Sequence, residues 1–181
     1  MRYKEFIIEG RNAVLEAFRA GKTIDKLFVL DGCQDGPVKS ILREAKKTDT
    51  IINFVDKERL DRLANSGHHQ GVVAQAAAYE YAEVEDILNA AKEKGEALYF
   101  ILDEIEDPHN LGAIIRTANL CGAHGVIIPK RRAVGLTATV AKTSAGAVNY
   151  TPVAKVTNIA KTIEELKKKA CGLCVPIWMG R

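Results

Sequence analysis

The segment 98–132 constrains the fold of this chain more than any other part of the sequence. An apolar run (98–102) leads through an acidic turn into residues with helical spacing (111–122), and a second apolar run (126–128) follows. Short apolar runs on either side of an amphipathic helix predict a β-α-β unit. Ligands usually bind where the strands of such a sheet end. The acidic turn and the start of the helix are therefore the first place to look for a functional site.

The rest of the chain continues the alternation of strand and helix. Before this unit we predict, in chain order, helix 12–20, strand 26–30, helix 38–47, strand 51–55, a helix with Leu60 and Leu63 behind an N-cap at Asp56, strand 72–76, and a helix that carries Val84, Ile87, Leu88 and Ala91. After it we predict helix 137–148, strand 153–156, helix 158–170 and a strand that begins near Leu173. This alternation predicts an α/β fold with a parallel sheet.

The composition changes at residues 79–82, Tyr-Glu-Tyr-Ala, which are polar and aromatic. We interpret this stretch as the start of a connection between two modules. The predicted organisation is a small N-terminal α/β domain (1–78), a linker with one helix that ends at Gly95 (79–96), and a second α/β domain (97–181).

The overall composition is that of a globular protein. Hydrophobic residues make up 47% of the 181 residues and charged residues 27%. The net charge of +3 permits a nucleic-acid partner without requiring one. The sequence has neither an apolar run that could span a bilayer nor a signal-peptide core at its start, which predicts a cytoplasmic protein that does not interact with membranes.

The four cysteines do not form a clear metal-binding or disulfide pattern. Cys33 and Cys121 are isolated, whereas residues 171–174 form a Cys-x-x-Cys. A zinc site needs a second pair of ligands, and His68 and His69 are adjacent instead of spaced as ligands are. We predict no bound metal and no disulfide framework.

Asn110 and Arg116 are the candidate site residues of the β-α-β unit. On a helical wheel Arg116 falls opposite the apolar arc, where it is free to meet a ligand or is a solvated surface arginine. Asn110 comes just before the predicted helix, so an N-cap is its alternative role. Gly112 in the first turn lowers the stability of the helix by about 1 kcal/mol relative to alanine. A glycine at this position is therefore expected where another group approaches the backbone closely.

Lys130, Arg131 and Arg132 follow the second apolar run of the unit. They would lie at the same carboxyl edge as the start of the helix, where a phosphate is favoured. A solvated loop is the alternative. A small-molecule α/β enzyme would need a nucleotide-binding fingerprint such as Gly-x-Gly-x-x-Gly or a Walker A loop, and the sequence has neither.

Several of these segments resemble one family. Residues 107–118, Asp-Pro-His-Asn-Leu-Gly-Ala-Ile-Ile-Arg-Thr-Ala, are similar to the first signature motif of the SpoU (TrmH-type) RNA 2′-O-ribose methyltransferases. The resemblance extends to residues 125–129 and 141–147. In the N-terminal module, residues 9–14 and 69–72 resemble the substrate-binding domain of the RlmB-like branch, which methylates a guanosine ribose in 23S ribosomal RNA.

This resemblance implies an α/β-knot (SPOUT) methyltransferase domain, S-adenosylmethionine as the methyl donor, a homodimer with sites near the subunit interface, and a role in rRNA processing. It implies that Asn110 and Arg116 are catalytic. Arg11, Lys130, Arg131 and Arg132 become candidates for binding ribosomal RNA. Lys22 and Lys26 are further candidates in the N-terminal module.

The chain departs from the family in its C-terminal part. The family's second and third motifs, whose loops bind the donor and form the knot, are not found, so we expect a truncated methyltransferase domain without donor-binding residues. A frameshift near Cys174 would account for the tail. The alternative function is a catalytically inactive RNA-binding protein that retains the substrate-binding domain.

Overall fold

Two β-sheets organise residues 6–93 and 98–168, the parts of the chain that the computed structural model describes. The N-terminal half contains β1 (Ile7–Glu9), α1 (Arg11–Arg19), β2 (Ile24–Leu30), α2 (Gly36–Lys47), β3 (Ile51–Val55), α3 (Lys57–Leu63) and β4 (Val72–Ala76). Its strands lie in the order β1-β4-β2-β3, with β2 and β3 parallel and the other two neighbouring pairs antiparallel. Because alternate residues of β2 belong to different apolar clusters, α1 and α2 cover one face of this sheet and α3 covers the other.

The predicted elements of this half are confirmed, with shifts at their ends. Strands β3 and β4 have the predicted bounds, and Asp56 caps α3 by accepting a hydrogen bond from the backbone N–H of Arg59 at 2.7 Å. Strand β2 begins at Ile24, two residues before the predicted start. Strand β1 was not predicted, since three residues are too few to show an alternating pattern.

The second half is built around a parallel sheet, as predicted. Its elements are α4 (Val84–Glu93), β5 (Tyr99–Ile101), α5 (Pro108–Leu120), β6 (Gly125–Pro129), α6 (Ala138–Thr143), a 3₁₀ turn (Ala147–Asn149), β7 (Val153–Val156) and α7 (Ile159–Lys168). The strand order is β5-β6-β7, and both neighbouring pairs are parallel.

Helices cover both faces of this parallel sheet. Val126 and Ile128 of β6 belong to the apolar cluster formed with α5 and α6. Ile127, which points the other way, packs with Ile87 of α4 and Leu166 of α7. All five residues of β6 are buried, which is why this strand appears in the sequence as an uninterrupted apolar run.

Two helices differ from the prediction. The helix expected over 137–148 ends at Thr143, and a 3₁₀ turn follows it, because Ala145 (φ 51°) and Gly146 (φ 86°) adopt left-handed backbone conformations. Helix α5 starts at Pro108, three residues before the predicted start. The predicted helix end at Gly95, the strand near Leu173, the Cys-x-x-Cys at 171–174 and the tail lie outside the described residues.

The predicted connection at 79–82 contacts the second sheet directly. Ala82 forms an isolated parallel bridge with Ala154 on the free edge of β7. The backbone N–H of Ala78 donates to the carbonyl of Leu136 at 2.8 Å. The two halves are therefore joined by backbone hydrogen bonds as well as by the chain. Across the described ranges, no helix is long and apolar enough to cross a membrane.

Candidate functional site

Helix α5 begins with a cap that fixes where its first side chains point. Asp107, in an extended conformation, accepts a hydrogen bond from the backbone N–H of His109 at 2.7 Å, and Pro108 occupies the first helical position. Asn110 is therefore not the N-cap, and the alternative role considered for it is wrong. Its exposed side chain lies in the first turn and forms no hydrogen bond within residues 6–93 and 98–168.

Arg116 lies on the exposed side of α5, as predicted from the helical wheel. It shares this side with His109, Ala113 and Leu120, and its guanidinium forms no ion pair with any residue that the structure describes. Arg116 is six positions after Asn110, which places it about 9 Å further along the helix axis and roughly 120° around it. The helix thus presents both side chains to solvent but does not bring them into contact with each other.

Gly112 is required by the packing of α5 against α6. A Cβ atom at this position would lie 1.9 Å from Oγ1 of Thr143 and 3.0 Å from the backbone nitrogen of Ser144. Thr143 Oγ1 also lies 3.3 Å from the carbonyl oxygen of Pro108, to which it donates. The close approach that the sequence suggested is therefore made by a neighbouring helix.

The loops after β5 and β6 form a charged rim at the carboxyl edge of the second sheet (residues 103–106 and 130–134). The backbone N–H of Val134 donates to the carbonyl of Ile105 at 2.8 Å, and Arg132 Nη1 lies 2.6 Å from Glu104 Oε1. Both charged side chains of this ion pair are more than 60% exposed, so it contributes little to stability. The rim therefore brings acidic and basic side chains together beside the start of α5.

Lys130 connects this rim to the N-terminal half. Its Nζ lies 2.5 Å from Oδ2 of Asp49, which follows the C-terminus of α2. The hydrogen bond from Lys130 lowers the pKa of Asp49, with a smaller contribution from the positive charge of Arg131. The side chain of Arg131 is exposed to solvent. The structure thus places 130–132 at the expected edge, with two of the three cations paired to carboxylates.

Arg11, the candidate in the N-terminal half, has several internal partners. Its Nη2 lies 2.7 Å from Oδ2 of Asp35, the residue that caps α2. Its Nε donates to the carbonyl oxygen of Gln70 at 3.0 Å. Arg11 therefore ties the start of α1 to α2 and to the loop before β4, away from the rim residues, and its predicted contact with RNA stays a prediction.

A buried polar cluster between the two halves was not predicted from the sequence. Asp25 of β2 accepts hydrogen bonds from Lys155 Nζ at 2.5 Å and from the Tyr81 hydroxyl at 3.0 Å. The Tyr81 oxygen in turn accepts from the backbone N–H of Leu136 at 2.8 Å. A Cβ atom at Gly135 would lie 1.9 Å from Asp25 Oδ2, so the loop after β6 also packs closely on this cluster.

Burial governs the ionisation of this cluster. It raises the pKa of the Tyr81 hydroxyl, and the charge of Asp25 raises it further. Burial also lowers the pKa of Lys155, while the ion pair with Asp25 opposes that effect. The Lys155 ammonium lies 4.3 Å from the centre of the Tyr81 ring, where a cation is attracted to the aromatic face. The cluster therefore holds a charged pair in a largely dry interface.

The histidines and cysteines of the described ranges do not gather into a metal site, since no three His, Cys, Asp or Glu residues lie close enough there. His69 is occupied at both ring nitrogens: Nε2 lies 2.9 Å from Asp61 Oδ1, and Nδ1 accepts from the backbone N–H of Gly71 at 2.9 Å. Cys33 and Cys121 are free thiols.

Two family models match the chain one after the other. A model described as RNA 2′-O ribose methyltransferase substrate binding matches residues 7–82. The model of the SpoU rRNA Methylase family matches residues 97–175. The first match contains the four-stranded sheet, and the second contains the parallel sheet, helix α5 and the charged rim.

Relatives named for the TrmH family of tRNA/rRNA methyltransferases are similar over most of the chain. YacO from Bacillus subtilis (strain 168) is 52% identical over 161 residues, which is 88% of this chain and 64% of YacO. A relative from Staphylococcus haemolyticus (strain JCSC1435) is 49% identical over 166 residues, which is 91% of this chain and 66% of that protein. The chain therefore spans slightly less than two thirds of the length of these relatives.

Solved structures are similar at lower identity. The SpoU methyltransferase AviRb from Streptomyces viridochromogenes, in complex with its cofactor AdoMet, is 20% identical with a TM-score of 0.44, over 93% of this chain and 60% of AviRb. An rRNA methyltransferase from Sinorhizobium meliloti is 22% identical with a TM-score of 0.41, over 91% of this chain and 59% of that protein. These TM-scores are too low to support any argument about geometry.

Proposed function

Because the chain belongs to the SpoU (TrmH-type) family of RNA methyltransferases, we propose that it acts in the 2′-O-methylation of a ribose in RNA, with S-adenosylmethionine as the methyl donor. The substrate we propose is a guanosine of 23S ribosomal RNA, in keeping with the residues at 9–14 and 69–72 that resemble the RlmB-like branch. The observation that carries the proposal is the position of Asn110 and Arg116. Both side chains are exposed and have no hydrogen-bond or ion-pair partner among the described residues. They lie on the helix that starts at the carboxyl edge of the matched parallel sheet.

Arg116 suits the role of orienting the RNA and stabilising charge. An arginine guanidinium keeps its positive charge in proteins, so Arg116 is a poor base for the ribose hydroxyl. It is well suited to hold a phosphate or a developing negative charge on the 2′-oxygen. Because the helix separates it from Asn110, we assign Asn110 a contact with the ribose and not with Arg116. The hydroxyl proton passes to another base or to water.

The described residues do not complete a site for S-adenosylmethionine. The donor would supply the methyl group, and its adenosyl part needs a largely apolar pocket. The rim beside α5 instead presents charged side chains, among them Arg132 paired with Glu104 and the exposed Arg131. The residues of the rim therefore do not fit the donor.

We also propose a homodimer. Support for the homodimer comes from two large apolar side chains on the outer surface of the layer formed by α5 and the 3₁₀ turn. Leu120 is 82% exposed and Tyr150 is 81% exposed. Burial of such side chains against a second copy would remove apolar surface from water and bring Arg116 close to the interface.

A methyl-transfer assay tests the proposed activity. The chain is incubated with tritium-labelled S-adenosylmethionine and a 23S rRNA transcript, and labelled RNA is counted. We expect Arg116→Ala and Asn110→Ala each to lower the rate on the order of a hundredfold or more. Arg59→Ala, which removes an exposed arginine from α3, is the matched control and should leave the rate unchanged.

The same assay distinguishes the proposed enzyme from the alternative, a non-catalytic RNA-binding protein. The match of residues 97–175 to a methylase model does not favour this alternative. That alternative predicts RNA binding without labelled product and without heat on calorimetric titration of S-adenosylmethionine. This combination of results would overturn the proposed activity.

A further inference from the structure

Helix α2 carries the largest net positive charge of any helix among the described residues. It contains Lys39, Arg43, Lys46 and Lys47 against a single acid, Glu44, so four positive charges minus one negative charge give a net charge of +3. The whole chain has the same net charge of +3. The excess positive charge of the protein is thus equivalent to that of one helix of 12 residues.

The cations of α2 form a row on its exposed side. Lys39, Arg43 and Lys46 follow one another at spacings of four and three residues, so they share one face over about 10 Å of the helix axis. The opposite side of α2 buries Val38 and Ile41 against the first sheet. The row is therefore held in place by the core beneath it.

This row keeps most of its charge available for a partner. Lys39 and Lys46 form no ion pair within the described residues, and Arg43 Nε is 3.8 Å from Glu44. Glu44 is instead engaged by Lys47, whose Nζ lies 2.9 Å from its carboxylate and whose hydrogen bond lowers its pKa. A row of cations without matching acids suits a partner that carries regularly spaced negative charge.

The row leads toward the candidate site. Two residues after α2, Asp49 accepts the ion pair from Lys130 at 2.5 Å, and Lys130 directly follows β6. The exposed side chain of Arg131 is next to it in sequence. The salt bridge between Asp49 and Lys130 therefore links the C-terminal end of α2 to the charged rim of the second half.

We propose that the exposed row on α2 binds the phosphate backbone of the RNA substrate and directs that RNA to the carboxyl edge of the second sheet. This inference rests on the proposed function. A nucleic-acid duplex strand carries about one charge per 3.4 Å of axis, so a row of about 10 Å matches roughly three phosphates. A helix that binds a membrane surface carries a broad exposed apolar face in addition to its cations. Beside the row, the described residues offer one half-buried apolar side chain, Leu42, which favours RNA over a membrane as the partner.

Salt-dependent RNA binding by the whole chain tests the row. The probe is a fluorescent 23S rRNA hairpin, and its affinity is measured by anisotropy at several KCl concentrations. The test variant is Lys39→Gln/Arg43→Gln/Lys46→Gln. The control is Lys57→Gln/Arg59→Gln/Arg62→Gln on α3, which removes the same charge from the opposite face of the same sheet. Circular dichroism confirms that both variants stay folded.

We expect the α2 variant to reduce the slope of log affinity against log salt by about 2.7, from roughly 0.9 for each of three lost contacts to duplex phosphates. The α3 control should keep the slope of the wild-type chain. If both variants behave alike, the row is not the RNA surface, while the proposed function still stands. If the wild-type chain binds no RNA at all, both the row and the proposed function fail.

A second probe separates RNA from an anionic membrane. Wild-type chain and α2 variant are sedimented with vesicles of phosphatidylcholine and phosphatidylserine. We expect no binding of either protein to these vesicles. Vesicle binding that the α2 substitutions abolish, together with unchanged RNA affinity, would assign the row to a membrane and overturn the inference.

Discussion

Lys155 Nζ donates a hydrogen bond to Asp25 Oδ1 at 2.5 Å, and this pair joins a strand of the first sheet to a strand of the second. The Asp25 side chain is 4% exposed and that of Lys155 is 15% exposed. For a charged pair buried this deeply, removal of one partner costs more stability than the pair itself contributes, because the remaining charge stays buried without a counter-charge. The relative position of the two halves therefore depends on both residues.

Loss of one partner of this pair should be strongly destabilising. We expect Asp25→Asn to lower the free energy of unfolding by about 3–5 kcal/mol, because it leaves the Lys155 ammonium buried without a counter-charge. Urea unfolding followed by circular dichroism measures the change. The double variant Asp25→Asn/Lys155→Met should recover most of the loss. Asp31→Asn, at an exposed position, is the control, and an equal effect of both aspartate substitutions would rule out the buried pair as the cause.

The contact of α5 with α6 predicts a cost for an added methyl group. Alanine normally stabilises a helix by about 1 kcal/mol relative to glycine. At Gly112 we expect the reverse, a loss of roughly 1–3 kcal/mol, since the new Cβ would overlap Thr143.

The control for this contact is Gly36→Ala at the start of α2, where no atom lies within 4 Å of the added Cβ. Thermal unfolding of the two variants provides the comparison. Gly36→Ala should be neutral or stabilising, and a Gly112→Ala variant that is equally stable would show that the helices separate at no cost.

Much of the fold could be predicted because its core strands are apolar along their length. Strands β3, β4 and β7 have the predicted bounds, and β6 extends one residue beyond the prediction at each end. The break between α6 and the 3₁₀ turn could not be predicted from periodicity. Val140 and Val148 are both buried on the same apolar side, so the pattern continues across the left-handed residues at 145 and 146 that interrupt the helix.

The candidate site was only partly accessible from sequence. The exposed position of Arg116 follows from helical geometry alone. The partners of Lys130 and Asp25 do not, because they lie 81 and 130 residues away in the chain, and no local pattern encodes contacts between distant segments. An aspartate directly before a predicted buried strand was a possible signal for Asp25, since a buried charge requires a partner.

The ion pair between Asp49 and Lys130 predicts a pH effect of known sign. The hydrogen bond from Lys130 lowers the pKa of Asp49 below its ordinary value of 3.8, so the contribution of the pair to stability is present above that value. This contribution is lost as the pH falls through the lower pKa of the folded state. We expect Lys130→Gln to return the pKa of Asp49 toward 3.8, measured by NMR titration of the carboxyl carbon.

The stability change at neutral pH should be under about 1 kcal/mol, because the Asp49 side chain is 71% exposed and solvent screens the pair. Arg131→Gln is the control, because Arg131 lowers the pKa of Asp49 less than Lys130 does. It should therefore shift the titration of Asp49 less than Lys130→Gln. A larger shift from Arg131→Gln would contradict the direct contact of Lys130 with Asp49.

Two adjacent histidines offer a matched comparison of a buried and an exposed ring. His69 is 6% exposed, and its Nδ1 accepts from the backbone N–H of Gly71 at 2.9 Å, while His68 is exposed. We expect His69→Ala to lower the free energy of unfolding by about 1–3 kcal/mol, because the buried N–H of Gly71 loses its acceptor. His68→Ala should change it by less than about 0.5 kcal/mol. Urea unfolding of the two variants gives the comparison, and equal stability of both would exclude a structural role for the His69 ring.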